Sequence, residues 1–236
     1  MIQQSKGKIF LADERGLNET AWFRSQHTFN FGKYFNENKN PFGDLYLLND
    51  DMLAGGRSLS MFVEEDSYVI LLPLAGAINC KIENTNKALV AAGQVFVQYV
   101  NAREKIEIAN PFKNDTVNFL QIWIKADKKD KLSTGALTFE DVNKKLNELV
   151  KIFPGNVLSD DLPFSVSLGK FLGRGETVYT PAKNTGCFLF VITGAFEAEG
   201  RLLHERDGLA LWYAAEIEME ALSNDAIMLL IETKMS

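Results

Sequence analysis

Alternation with a period of two runs through most of this chain and restricts what it can become. INCKIE, QVFVQYV, EKIEIAN and VNFLQIWIK each place apolar side chains on every second position. On an extended backbone successive side chains point to opposite faces, so such runs make strands with one buried face. Gly, Asn and Pro fall between them, where the chain must turn. After residue 125 the alternation gives way to KADKKDKLSTGALT, which reads as a polar linker. It resumes in FSVSLGKFL, TVYTP, CFLFVITG, FEAEG, LALWY, EIEMEAL and IMLLIE. Two strand-rich halves joined by a linker predict an all-β protein made of two barrels or sandwiches.

The halves also resemble each other. YVILLPLAGAINCKIE and CFLFVITGAFEAEG share an apolar strand, a glycine, an alanine and a second alternating strand. Later in each half a glycine opens another strand, in AAGQVFVQY and RDGLALWYA. This points to a duplicated module. TFEDVNKKLNELVKIFP departs from the pattern: Phe139, Val142, Leu146, Leu149, Val150 and Phe153 fit a helical stripe, and Thr138 with Asp141 could cap its start. LVKIF fits a strand equally well, so a short helical turn followed by a strand is expected. LGRGET at 172–177 reads as a hairpin turn.

Charge and composition narrow the function. The 236 residues carry a net charge of −6, which disfavours a surface built to neutralise phosphates. The one basic run, KADKKDK at 125–131, is interrupted by aspartates and reads as a solvated loop. No nucleic-acid partner is expected. The first residues, MIQQSKGKIFLADERG, contain no apolar signal core, and VILLPLAGAI is too short to span a bilayer. A cytoplasmic location away from any membrane follows as the expectation. Cys80 and Cys187 both lie within apolar runs, where buried free thiols are expected rather than a disulfide. No G-x-S-x-G, phosphate-binding loop or C-x-x-C occurs. Trp22, Phe23, Phe29, Phe31, Tyr34 and Phe35 form an aromatic cluster that reads as core packing.

Several stretches carry a resemblance. DERGLNETAWFRSQHTFNFGKYF, FGDLYLLNDD, QIWIK and the C-terminal RDGLALWYAAEIEMEA follow one another as do matching segments of pirin-like proteins. The chain therefore resembles a pirin-like bicupin, which implies two antiparallel β-barrels of the jelly-roll type, here a cupin domain at 1–130 and another at 131–236. In that family the N-terminal barrel holds a metal, commonly iron, on a His-x-His pair and on a His and a Glu two residues apart. Some bacterial members act as quercetin 2,3-dioxygenases, and a mammalian relative is a nuclear transcriptional co-regulator.

Ungapped counting from Asn49-Asp50-Asp51 to Gly76 puts the His-x-His pair on Phe62 and Glu64, and counting on through Gly93 puts the later pair on Ile106 and Ile108. These four residues form the candidate N-terminal pocket, with the metal ligands replaced. Only two histidines exist, His27 and His204, read as a structural residue and a turn residue. The acidic alternatives are Glu64, Glu65, Asp66 and Glu104: the run Glu64-Glu65-Asp66 reads as a solvated strand end, and in the family register Glu64 and Glu104 would face inward, too few ligands for an iron site. Pattern alone would turn Leu59, Met61 and Val63 inward, opposite to the family register, and a one-residue slip flips every side chain. The family register is the one adopted for Phe62 and Glu64.

The expected function is that of a non-catalytic pirin-like protein with no cofactor and no metal, either binding a small apolar ligand or a protein partner or serving a structural or regulatory role with its N-terminal barrel filled. The alternative is a quercetin 2,3-dioxygenase-type oxidoreductase with a substitute metal site.

Overall fold

A computed structural model describes residues 5–126, 133–139, 141–154 and 162–235. Strand β1 (Gly7–Phe10) comes first, followed by β2 (Gly16–Glu19), β3 (Phe23–His27), β4 (Leu45–Leu53), β5 (Ser58–Phe62) and β6 (Ser67–Ala75). The chain continues through β7 (Ala77–Ile82), β8 (Ala88–Ala91), β9 (Gln94–Val100), β10 (Lys105–Ala109), β11 (Val117–Lys125) and β12 (Ser133–Thr138). Next come β13 (Val150–Phe153), β14 (Phe164–Phe171), β15 (Glu176–Tyr179), β16 (Thr185–Thr193) and β17 (Phe196–Ala198). The last four are β18 (Arg201–Leu203), β19 (Gly208–Trp212), β20 (Ile217–Ala221) and β21 (Ala226–Lys234). Among the described residues helix is limited to single 3₁₀ turns at Ala12–Glu14 and Val142–Lys144. The all-β expectation holds.

The chain divides into two compact units, Gly16–Phe139 and Met1–Arg15 together with Glu140–Ser236. The first fifteen residues thus group with the C-terminal unit, whereas the sequence placed them in a domain running from 1 to 130. The reason is β1, which pairs antiparallel with β19 in the register Gly7↔Leu211 to Phe10↔Gly208.

The N-terminal unit stacks a seven-stranded sheet, β12-β9-β6-β11-β4-β3-β2, on a four-stranded one, β5-β10-β7-β8. The C-terminal unit repeats the plan with a six-stranded sheet, β1-β19-β16-β21-β14-β13, and a four-stranded one, β15-β20-β17-β18. Position by position, β9, β6, β11, β4 and β3 correspond to β19, β16, β21, β14 and β13, which is the duplication read from the sequence. At each copy's matched glycine, Gly76 (φ +79°) and Gly194 (φ +83°), the chain leaves the large sheet for the small one in a left-handed conformation that glycine adopts without strain. Among the described residues the expected jelly-roll barrels are not closed: in each unit two separate antiparallel sheets face each other over one core, the double-sheet form of a jelly roll.

Three local expectations are refined. STGALT, read as part of a linker, is the edge strand β12, paired with β9 in Ala136↔Phe96 and Leu137↔Val95. Its own alternation is weak, and the free edge of β9 recruits it. Most of the basic run lies outside the described residues. Asp141 caps the turn at Val142–Lys144, its Oδ1 accepting from the Asn143 amide at 3.0 Å, and β13 follows as expected. LGRGET makes a tight turn, with Gly175 donating to the Leu172 carbonyl at 2.8 Å, but it carries the chain from the large sheet to the small one and is no hairpin.

Candidate functional site

The interior of the N-terminal unit is built first by its small sheet. Strand β10 lies between β5 and β7, with Ile106 opposite Met61 and Ile82, and Ile108 opposite Leu59 and Cys80. Ile106 and Ile108 are fully buried, as is Val63 just beyond β5. The sequence placed both isoleucines inside, and the structure brings them together there.

Phe62 and Glu64 do not join them. Phe62 pairs with Lys105 on the outer face and is 64% exposed, and Glu64 is exposed too. The apolar pattern Leu59, Met61, Val63 sets the register of this strand, and that pattern overrides the ungapped family count. Val63 is held in place by two backbone bonds, donating to the Glu104 carbonyl at 3.1 Å and accepting from Arg103 at 2.7 Å.

The nearby acids are used locally. Asp66 accepts from the Ala102 amide at 2.8 Å, and Glu104 from the Asn101 amide at 2.9 Å, so both brace the loop before β10. Glu65 pairs with Lys125 at 2.9 Å. Glu104 therefore serves the loop rather than the interior. On the inward face of β10 the next residue after Ile108 is Asn110, whose amide donates to the carbonyls of Leu53 and Asp115, each at 2.8 Å. The Cys80 thiol is pushed up to about 12 by burial, so it stays protonated at neutral pH.

Facing this hydrocarbon layer, the large sheet carries a polar stripe. Leu47 and Leu53 belong to the apolar core, and alternation along β4 puts Asn49 and Asp51 on that same face. Asn49 stands opposite both His27 and Gln121, and Asp51 opposite Ser25. His27 Nδ1 lies 3.0 Å from the Asn49 side-chain oxygen, and the Gln121 amide donates to the Asp51 carboxylate. All five side chains are buried. His27 also stacks against Tyr34, with ring centroids 6.4 Å apart. The structural reading of His27 fits this placement. His204 is exposed at the turn after β18. Of the aromatic cluster, Phe29 is buried and Trp22, Phe23 and Phe31 pack on the core, whereas Phe35 is exposed. The sequence had singled out N-D-D and Q-I-W only as markers; two strands of alternating apolar residues interrupted by Asn, Asp and Gln on the buried parity were the signal for this network.

The quercetinase C-terminal cupin domain family matches residues 164–233. A pirin-like protein of Caulobacter vibrioides is 29% identical over 228 residues, covering 93% of this chain and 96% of the relative. A quercetin 2,3-dioxygenase of Escherichia coli K12 is 22% identical over 233 residues, covering 92% and 95%. Among solved structures, the Escherichia coli bacterial pirin YhhW in complex with nickel(II) superposes with a TM-score of 0.82 at 22% identity, over 98% of this chain and all of that one. The likeness is to the pirin and quercetinase family. The chain shares the fold of that structure along nearly its whole length.

The residues on the inward face of the small sheet do not fit the metal that the family implies. An iron site of this type needs imidazole and carboxylate donors with an open position. Here the inward side chains of β5, β7 and β10 are Leu59, Met61, Cys80, Ile82, Ile106 and Ile108. Among the described residues no three His, Cys, Asp or Glu side chains are grouped to hold a metal ion.

Proposed function

We propose that this protein is a pirin-like bicupin that carries out no metal-dependent oxygen chemistry and works in the cytoplasm by binding a small molecule or a protein partner. The observation that supports this reading is the packed layer of Leu59, Val63, Ile82, Ile106 and Ile108. A flavonol dioxygenase needs a metal to bind substrate and pass electrons to oxygen. Hydrocarbon side chains offer that metal no lone pair, and each buried isoleucine contributes about 1.5–3 kcal/mol to the core instead. On this reading the family's ligands were exchanged for packing.

The competing reading is a quercetin 2,3-dioxygenase-type oxidoreductase with a substitute metal site, favoured by the activity for which the Escherichia coli relative is named. One experiment separates the two. Metal per chain is measured by mass spectrometry on protein purified without chelator or a metal-affinity tag, and oxygen uptake with quercetin is followed after adding iron, copper, nickel or manganese. The expected result is no stoichiometric metal and no turnover above the free-metal control. About one metal per chain with turnover above that control would put the dioxygenase reading first.

A further inference from the structure

The C-terminal unit holds a second set of polar side chains that the N-terminal reading leaves unused. At one end of its sandwich the ends of β13, β14, β15, β16 and β21 surround a cavity of about 690 Å³. That volume lies within the range of small-molecule sites, roughly 300–1,000 Å³. Alternation along β21 carries the buried face from Met228 and Leu230 to Glu232, so a carboxylate stands where the core pattern calls for a hydrocarbon. Glu232 is buried and lines the cavity.

Its two oxygens are already oriented. One accepts from the Ala182 amide at 2.9 Å and the other from the Tyr179 hydroxyl. Burial first, and then the Glu232 carboxylate beside it, push the Tyr179 hydroxyl well above its ordinary value, so it remains a donor. An ionised carboxylate offers about four acceptor positions, and two are filled here. A buried carboxylate held by neutral donors and lining a cavity is costly unless further partners reach it.

The rest of the wall has the opposite sign. Lys151, Lys183 and Lys234 line the same cavity, and among the described residues that line it Glu232 is the one acidic side chain. Among the described residues none of the three ammonium groups is engaged in an ion pair. In a chain of net charge −6, three lysines without carboxylate partners around one opening form a local positive field. Leu162, Pro163 and Met235 supply the apolar part of the lining.

We propose that this end of the C-terminal cupin binds a small hydroxylated organic anion. Lys151, Lys183 and Lys234 receive its acid group, Glu232 accepts from its hydroxyl, and Leu162, Pro163 and Met235 pack against its body. The site goes beyond the reading of the N-terminal unit and does not depend on the absence of a metal there. It would give the small-molecule half of that reading a location.

Calorimetric titration of the full chain with para-hydroxybenzoate tests it, with para-hydroxybenzyl alcohol as the uncharged control and acetate as the control without ring and hydroxyl. Saturable binding of one hydroxybenzoate per chain is expected, weakening as salt is raised, with both controls at least about tenfold weaker, or about 1.4 kcal/mol. The three lysines are exposed, so the combined variant Lys151→Gln, Lys183→Gln, Lys234→Gln is expected to fold and to lose binding by at least that factor. Glu232→Gln, checked by its melting profile, is expected to weaken hydroxybenzoate while leaving acetate unchanged. No saturable binding of hydroxybenzoate, binding equal to that of the alcohol, or binding unaffected by the lysine variant would overturn the proposal. Metal content and oxygen uptake are read separately, so failure here and failure of the metal-free reading are distinguishable.

Discussion

Between Leu59 and Val63 the chain alternates in and out, and neighbouring residues differ entirely in their surroundings. Ile108 sits in the core opposite Leu59 and Cys80, while Phe62 lies on the outer face opposite Lys105. Removing a buried branched side chain loses its transfer free energy and leaves a cavity. Removing an exposed one loses neither. Ile108→Ala is therefore expected to lower stability by about 2–5 kcal/mol, and Phe62→Ser to change it by no more than about 0.5 kcal/mol. Urea denaturation midpoints compare the two directly. A large loss for Phe62→Ser would mean that the strand sits in the other register. The isoleucines could be placed from sequence because β10 alternates without a break. Phe62 and Glu64 could not, because two registers competed: the family count set one, and burial of Leu59, Met61 and Val63 set the other. An apolar stripe that can be buried outweighs a count across a loop whose length is free to change.

At the scale of the element, β3, β4 and β11 hold polar side chains on the face that the rest of the sheet fills with hydrocarbon. Such a stripe is tolerated only when its members satisfy one another. Here His27 meets Asn49, and Gln121 donates to Asp51. Gln121→Leu keeps the volume but takes a donor from the fully buried Asp51. The expected cost is about 1–3 kcal/mol, the penalty for an acceptor left without that bond. The denaturant midpoint should fall with the slope unchanged. An unchanged midpoint would show that Asp51 does not need this donor. Strand positions in the alternating runs were legible because their period is short and repeated. Strand partners were not, since pairing is decided by distant edges. STGALT has too little pattern to announce β12, and Glu232 in IMLLIETK could be recognised as an interior acid only once β21 was known to run unbroken past it. The cavity beside Glu232 depends on five strand ends that are scattered along the sequence.

For the whole molecule the decisive pairing is that of β1. The C-terminal unit is assembled from both ends of the chain, and β1 takes beside β19 the edge place that β12 takes beside β9 in the other unit. Close packing fixes this strand. A Cβ on Gly7 would stand 2.9 Å from a Leu211 methyl, so the backbone of β1 lies tight against its neighbour. Phe10 is buried and meets Phe188 edge to face, with ring centroids 5.5 Å apart. Truncating a buried phenylalanine costs about 3–5 kcal/mol, a large share of a domain's stability. The loss should fall where the contacts are. Phe10→Ala is expected to lower amide protection in β16 and β19 of the C-terminal unit while β6 and β9 of the N-terminal unit, although closer in sequence, keep theirs. Native-state hydrogen exchange reads both sets in one experiment, because local opening reports the stability of each cooperative unit. If protection instead fell in β6 and β9 and held in β16 and β19, the first strand would belong to the N-terminal unit, as the plain order of the sequence suggests.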